Sequence, residues 1–177
     1  VNSRLVLDGD DDYLKILYNS NLDFSVTNAF SFSGWVYPTT PNDYNMIITS
    51  SSAGSWTDGY GFYYLGGNVK FYLNHYAGTG NGVLATGGAL TPDTWHHVAG
   101  TFNGNEIKLY VDGVNVDTKS VTNPLIPLAL FTYVGGAPGG SGTNNWNGQL
   151  DEVMLFNRDL KLEEVQNIRN KQSGMFP

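Results

Sequence analysis

Apolar and polar residues alternate along most of this chain, in short runs broken by Gly, Asp or Asn. LVLDGDDDYLKI predicts a strand, an Asp/Gly break and a second strand, with Leu5 and Leu7 on one face. FSFSGWVYP alternates Phe30 and Phe32 with serines and continues to Trp35 and Tyr37, and MIITSS is a short apolar strand. GYGFYYLGGNVKFYLNHY predicts a hairpin turning at Gly66 and Gly67. WHHVAGTFNGNEIKLYVDGVNVDT holds three strands joined at Asn103-Gly104 and Asp112-Gly113, dipeptides that accept the positive φ of a two-residue turn. GQLDEVMLFN predicts a closing strand. The one helical signal follows, where Leu162, Val165 and Ile168 form a short apolar stripe that is expected to pack on the edge of the fold. No linker or repeat interrupts residues 1–177, so the expected architecture is one all-β domain. It is a two-sheet antiparallel β-sandwich with one short C-terminal helix.

Composition narrows the functions. Charged residues are 14% of the chain, and the net charge is −7. Such a surface repels phosphate backbones and anionic lipid, so no nucleic acid is expected as partner. The longest apolar stretch, PLIPLALFTYVGG, is short and carries two prolines, so no membrane insertion is expected. There are no cysteines, which excludes disulfides, thiol catalysis and Cys-based zinc sites. The chain opens at Val1 without a signal sequence, which suggests a fragment of a larger protein.

Four segments in order resemble the laminin-G-like, concanavalin A-like jelly-roll domains: LDGDDDYLKI, FSFSGWVYP, WHHVAGTFNGNEIKLYVDGVNV and NNWNGQLDEVMLFNRDLKLEEVQNI. The resemblance spans nearly the whole chain and implies the jelly-roll form of the sandwich. It also implies a secreted or cell-surface location and one structural Ca²⁺ between the acidic loop and the closing strand. Calcium takes hard oxygen ligands, which Asp8, Gly9, Asp10, Asp11 and Asp12 offer in succession. The expected ligands are Asp8, Asp12 and Asp151, provided that the first and last strands pair so that Asp8 and Asp151 converge. The competing reading is a solvated acidic turn. One departure is Lys161, where similar domains carry a Ser or Thr helix cap; the cap then falls to Asp159, or the helix frays.

Similar sandwiches include glycoside hydrolases, but retaining hydrolysis needs two carboxyls about 5 Å apart on one face. Asp151 and Glu152 are adjacent and point to opposite faces of a strand, and Glu106 stands alone on its hairpin. His96 and His97 read as structural, and no G-x-S-x-G elbow is present. The chain is therefore expected to bind rather than catalyse, as a carbohydrate-binding or adhesion module, with a protein-interaction module as the alternative. A sugar site wants an exposed aromatic beside polar side chains. Alternation assigns Phe62, Tyr64, Val69, Phe71 and Leu73 to the core and turns Tyr63, Lys70, Tyr72 and Asn74 outward. Two loops add Trp56 and Tyr60, and Asn145 and Trp146. Against these stand plainer readings: Tyr63 and Tyr72 as ordinary strand tyrosines, Trp146 folded back over the sandwich, and Trp56 packed.

Overall fold

The computed structural model describes residues 4–22, 24, 29–39, 44–51, 59–73, 82–122, 131–137 and 144–176. Its strands are Leu5–Asp8 (β1), Leu14–Leu17 (β2), Phe30–Pro38 (β3), Asn45–Ser51 (β4), Tyr60–Leu65 (β5), Asn68–Leu73 (β6), Val83–Ala89 (β7), His96–Phe102 (β8), Glu106–Val111 (β9), Val114–Ser120 (β10), Phe131–Val134 (β11) and Asn147–Phe156 (β12). Helix α1 covers Leu162–Gln172. Every strand expected from the sequence forms. Alternation missed β7, whose VLATGGA is diluted by two glycines, and β11, a four-residue strand.

The strands form two six-stranded sheets, ordered β1-β12-β3-β8-β9-β10 and β2-β11-β4-β5-β6-β7. All neighbours are antiparallel. Two of the expected two-residue turns form, with Gly66 and Gly67 at φ +59° and +81°, and Asp112 and Gly113 at +50° and +78°. At Asn103-Gly104 only Gly104 has positive φ, at +93°, and the connection runs over residues 103–105, with Asn103 Oδ1 accepting the N–H groups of Asn105 and Glu106.

Between the sheets, alternate side chains build one core. Phe32 stacks on Phe62 at 4.6 Å between ring centroids, and Phe62 on Phe71 at 4.2 Å. Burying each ring stabilises the fold by about 1.5–3 kcal/mol. Gly100 makes room for this stack, since a Cβ there would lie 2.3 Å from the Phe62 ring.

Helix α1 does not sit on the edge of the sandwich as expected. It covers the outer face of the first sheet, where Val165 and Leu160 pack on Ala99 and Tyr110. Beyond it, Phe176 stacks on Trp35 at 4.4 Å, and the Trp35 indole N–H donates to Gln172 Oε1 at 3.0 Å. The helix starts without a side-chain acceptor at Lys161. Glu164 replaces it by accepting the Lys161 N–H at 2.9 Å and both guanidinium nitrogens of Arg158. The Arg158 guanidinium and that N–H hold the Glu164 carboxyl down at about 2. Asp159 pairs with Lys161 Nζ and does not supply the helix cap.

The two long edges of the sandwich differ. At one, β7 meets β10 across the gap between sheets: Thr86 N–H donates to Asp117 Oδ2 at 2.9 Å, and a Cβ at Gly87 would touch Val116 at 3.4 Å. At the other, β1 and β2 end their sheets, and β2 is exposed along its whole length.

Candidate functional site

The alternation assigned to the β5–β6 hairpin holds, but the openness of its outer face does not. Phe62, Tyr64, Val69, Phe71 and Leu73 face the core, and Tyr63 and Tyr72 face the other way. Both outward tyrosines are nonetheless buried, at 2% and 0% exposure, in a second cluster with Met46 and Ala137. The Tyr72 ring lies across Gly61, its cross-strand partner, where a Cβ would come within 2.5 Å. Its hydroxyl shares a 2.6 Å hydrogen bond with Thr49 Oγ1. Tyr60 points into the main core, 4.5 Å from Phe30. Burial pushes its phenol far above the ordinary range. Trp146 is fully buried beside Tyr64, so it folds back into the sandwich. None of these four rings presents a platform to solvent. Trp56 and Asn74 lie outside the described residues.

The first and last strands pair as expected, but in a register that separates the acids. Asp8 lies opposite Asn147 and Leu5 opposite Leu150. Asp151, which is opposite Trp35 on β3, is thus four residues further along β12, about 13 Å at strand rise. Asp8 and Asp151 therefore do not converge, and among the described residues no three His, Asp or Glu side chains gather as a metal set. The loop itself is ordered by Asp8 Oδ1, which accepts the Asp10 N–H at 3.0 Å, and by Asn145 Nδ2, which donates to the Asp10 carbonyl. Asn145 is buried, and its Oδ1 has no hydrogen-bond partner. Asn145, and not Asp151, is the residue of the closing segment that touches the acidic loop.

Both histidines of WHHVAG are structural. His96 Nε2 accepts the Thr91 N–H at 3.0 Å, so its Nδ1 carries the proton and donates to Asp112 Oδ2 at 2.8 Å. That backbone N–H occupies the place a nucleophile would need. Asp112 also accepts the His97 N–H; burial pushes its carboxyl up, but these bonds outweigh burial and hold it below the usual range. His97 is fully buried, with Nε2 2.8 Å from Ser33 Oγ. Burial lowers its imidazole to about 4, and the charge of Arg169 adds to this against the pull of Asp112. This Ser–His pair is closed to any substrate.

A groove of about 270 Å³ lies between the outer face of β9 and the segment entering α1. Buried Tyr110 and Thr101 form its floor. Glu106 and Lys108 stand on one side and Asp159 and Lys161 on the other, each pair joined at 2.7 and 2.6 Å. The hydrogen bond that Lys108 donates to the Glu106 carboxylate raises the Lys108 ammonium, and Asp159 adds to the effect. The two lysines and two carboxylates cancel, leaving a neutral rim dense in donors and acceptors. Sequence reading missed this site. Lys108 and Tyr110 share a face of β9 in the alternation, but Asp159 and Lys161 reach them only because α1 docks there.

The chain resembles several solved receptor-binding domains in fold. Against the binding domain of botulinum neurotoxin DC in complex with SialylT it has a TM-score of 0.72 at 15% identity, covering 96% of this chain and 45% of that one. The same domain in complex with rat synaptotagmin II gives 0.67 at 14%, over 90% and 40%. The binding domain of Paraclostridial Mosquitocidal Protein 1 gives 0.70 at 19%, over 95% and 45%. This chain spans less than half the length of each. The laminin-G-type model of the concanavalin A-like lectin/glucanases superfamily matches residues 8–166, from the acidic loop into α1. With two antiparallel sheets, paired terminal strands and a match over most of its length, the chain belongs to the concanavalin A-like lectin/glucanases superfamily.

Proposed function

We propose that this chain is a non-catalytic carbohydrate-binding module of a secreted or cell-surface protein. The groove over Tyr110 is the observation that carries this reading. Sites for drug-sized ligands span about 300–1,000 Å³, so a groove of about 270 Å³ suits a single sugar residue. Its neutral, paired rim can exchange its internal hydrogen bonds for those of a ligand rich in hydroxyls. Fold relatives solved as binding domains, one of them with a sialylated glycan partner named, support a binding role.

A glycan array with the whole chain tests this, followed by Lys108→Ala and Asp159→Ala. Binding to a defined glycan should be lost in both variants with the melting temperature unchanged. Binding retained in both but lost in Trp56→Ala would move the site to the loop around Trp56, and no binding to any glycan would sink the sugar reading.

A protein partner is the second reading, supported by the relative solved with synaptotagmin II and by the apolar edge at β2. A structural calcium belongs to the first proposal, held at Asp8, Asp12 and Asn145, whose buried Oδ1 otherwise lacks a partner. EDTA should then lower the melting temperature and Ca²⁺ restore it. An Asn145→Leu variant that keeps the full calcium response would rule out this donor set.

A further inference from the structure

Among the described residues, strand β2 ends the second sheet, with only β11 beside it. Tyr13, Leu14, Ile16, Leu17 and Tyr18 are 44%, 52%, 40%, 69% and 53% exposed, five large apolar side chains within six consecutive residues. Leu14 and Ile16 lie opposite Val134 and Thr132 and share their face toward the core side. Leu17 lies opposite Phe131 on the outer face. The ribbon is thus apolar on both sides, and its far edge carries backbone groups outside the ladder. A helix or loop would cover one side; a strand laid alongside extends both faces and satisfies the backbone.

Edges of this kind are normally blunted by shortness, a bulge, a proline or an outward charge, and of these β2 has its four-residue length and one lysine. Here β2 contains no proline and pairs with β11 without a register shift. Its single lysine, Lys15, is exposed on the outer face, and its Nζ lies over the ring of Phe131 on the neighbouring strand, 3.8 Å from the ring centre, rather than beyond the free edge. The loop leading into β2 is acidic, and among the described residues no salt bridge reaches Asp10 or Asp11. A second copy would bring together two molecules of net charge −7, which opposes self-pairing.

We propose that the free edge of β2 docks an extended peptide segment of a partner protein, which joins the second sheet antiparallel as a seventh strand. Every second side chain is apolar, to meet Leu14 and Ile16 on the core-side face, and those between are small, such as Thr, to lie beside Lys15 and Leu17 on the outer face. Its C-terminal end is basic, to meet Asp10 and Asp11. This surface is separate from the sugar groove, and the two can fail independently.

The test is titration of the whole chain with the amidated peptide Thr-Val-Thr-Val-Thr-Lys-Lys in calcium-containing buffer, read by calorimetry and by hydrogen exchange at the β2 amides. Saturable binding that protects those amides is expected. N-methylation of alternate peptide nitrogens, or Leu17→Lys in the protein, should weaken it by about tenfold or more. Asp10→Asn with Asp11→Asn should weaken it by about threefold and remove most of its salt dependence. Lys108→Ala should leave it unchanged. Absence of binding at about 1 mM peptide, where even weak encounters register, would overturn the proposal. So would equal binding of the N-methylated peptide, which needs no exchange data. A dimer of the chain alone that Leu17→Lys dissolves would assign the edge to a second copy instead.

Discussion

The two long edges of this sandwich face the same physical problem and meet it differently. Both end in strands whose outer backbone groups lack a ladder partner. At the β7/β10 edge the sheets close on each other: the Asp117 carboxylate reaches across to the Thr86 N–H, and Gly88 lets Val111 approach. At the β1/β2 edge the sheets do not close, and the exposed side chains are mostly apolar: Val6, Leu14, Ile16 and Leu17, with Asp8 and Lys15 among them. Both strands at the closed edge are seven residues long, and β10 carries Thr118 and Lys119 toward water, as a protected edge does. The open edge has four-residue strands and an acidic connection. The difference separates an edge whose free groups are already used within the domain from one whose groups remain available to a partner.

The largest expected effect breaks the closed edge. Gly88 has φ +68°, and a Cβ there would lie 2.2 Å from Val111 Cγ2. Gly88→Ala should cost about 3 kcal/mol in chemical denaturation, combining backbone strain with overpacking. Val111 is β-branched and stiff, so it cannot swing aside.

Acid should act next, first in the interior and then at the closed edge. His97 titrates near 4 in the folded chain, against 6.5 when exposed. Between those values the unfolded chain takes up a proton that the folded one refuses. Stability should therefore fall as pH drops from about 6.5 to about 4, by something on the order of 3 kcal/mol. His97→Gln should flatten that slope. The Asp117 carboxyl is pushed up by burial but held below 3.8 on balance by Thr86, Lys119 and Thr118. Its contribution is present above 3.8 and is lost as pH falls through the lower folded value, so the closed edge should loosen only below the His97 window.

Removing the bridging carboxylate is milder than overpacking. Asp117→Ala leaves the Thr86 N–H without its partner and should cost about 1–2 kcal/mol, visible as faster hydrogen exchange in β7. At the open edge, Leu17→Lys should change stability by less than about 0.5 kcal/mol, because Leu17 is mostly in water already. A loss comparable to that of Asp117→Ala would show that the open edge is packed in solution and would dissolve the comparison.

Much of this architecture was legible in the chain. Asn103-Gly104 and Asp112-Gly113 fixed the three-strand unit, because positive φ at a turn is a local demand that few residues meet. Alternation in β5 and β6 sorted Phe62, Tyr63, Tyr64, Val69, Phe71, Tyr72 and Leu73 to their correct faces, but Tyr60, read as a loop residue, begins β5 and faces the core. The helix was visible from Leu162, Val165 and Ile168, though its cap at Glu164 was not, since the usual Ser or Thr signal is absent. The candidate sites were harder to read. Period-two alternation says which face a side chain takes, not whether that face is covered, so Tyr63 and Tyr72 passed as exposed. It also says that two strands can pair, not in which register, so Asp8 and Asp151 passed as neighbours.

The sequence by itself determined the elements, their turns and the inward set of aromatic residues, because each follows from local backbone geometry and from the transfer of apolar side chains out of water. Tertiary structure decided what long-range placement alone can set. The register of β1 on β12 took Asp151 away from the acidic loop and left Asn145 beside it. The docking of α1 brought Asp159 and Lys161 to Lys108 and Tyr110. The order of the strands closed one edge and left β2 bare, because a strand's neighbour is chosen by the packing of the whole sheet and not by any residue within it.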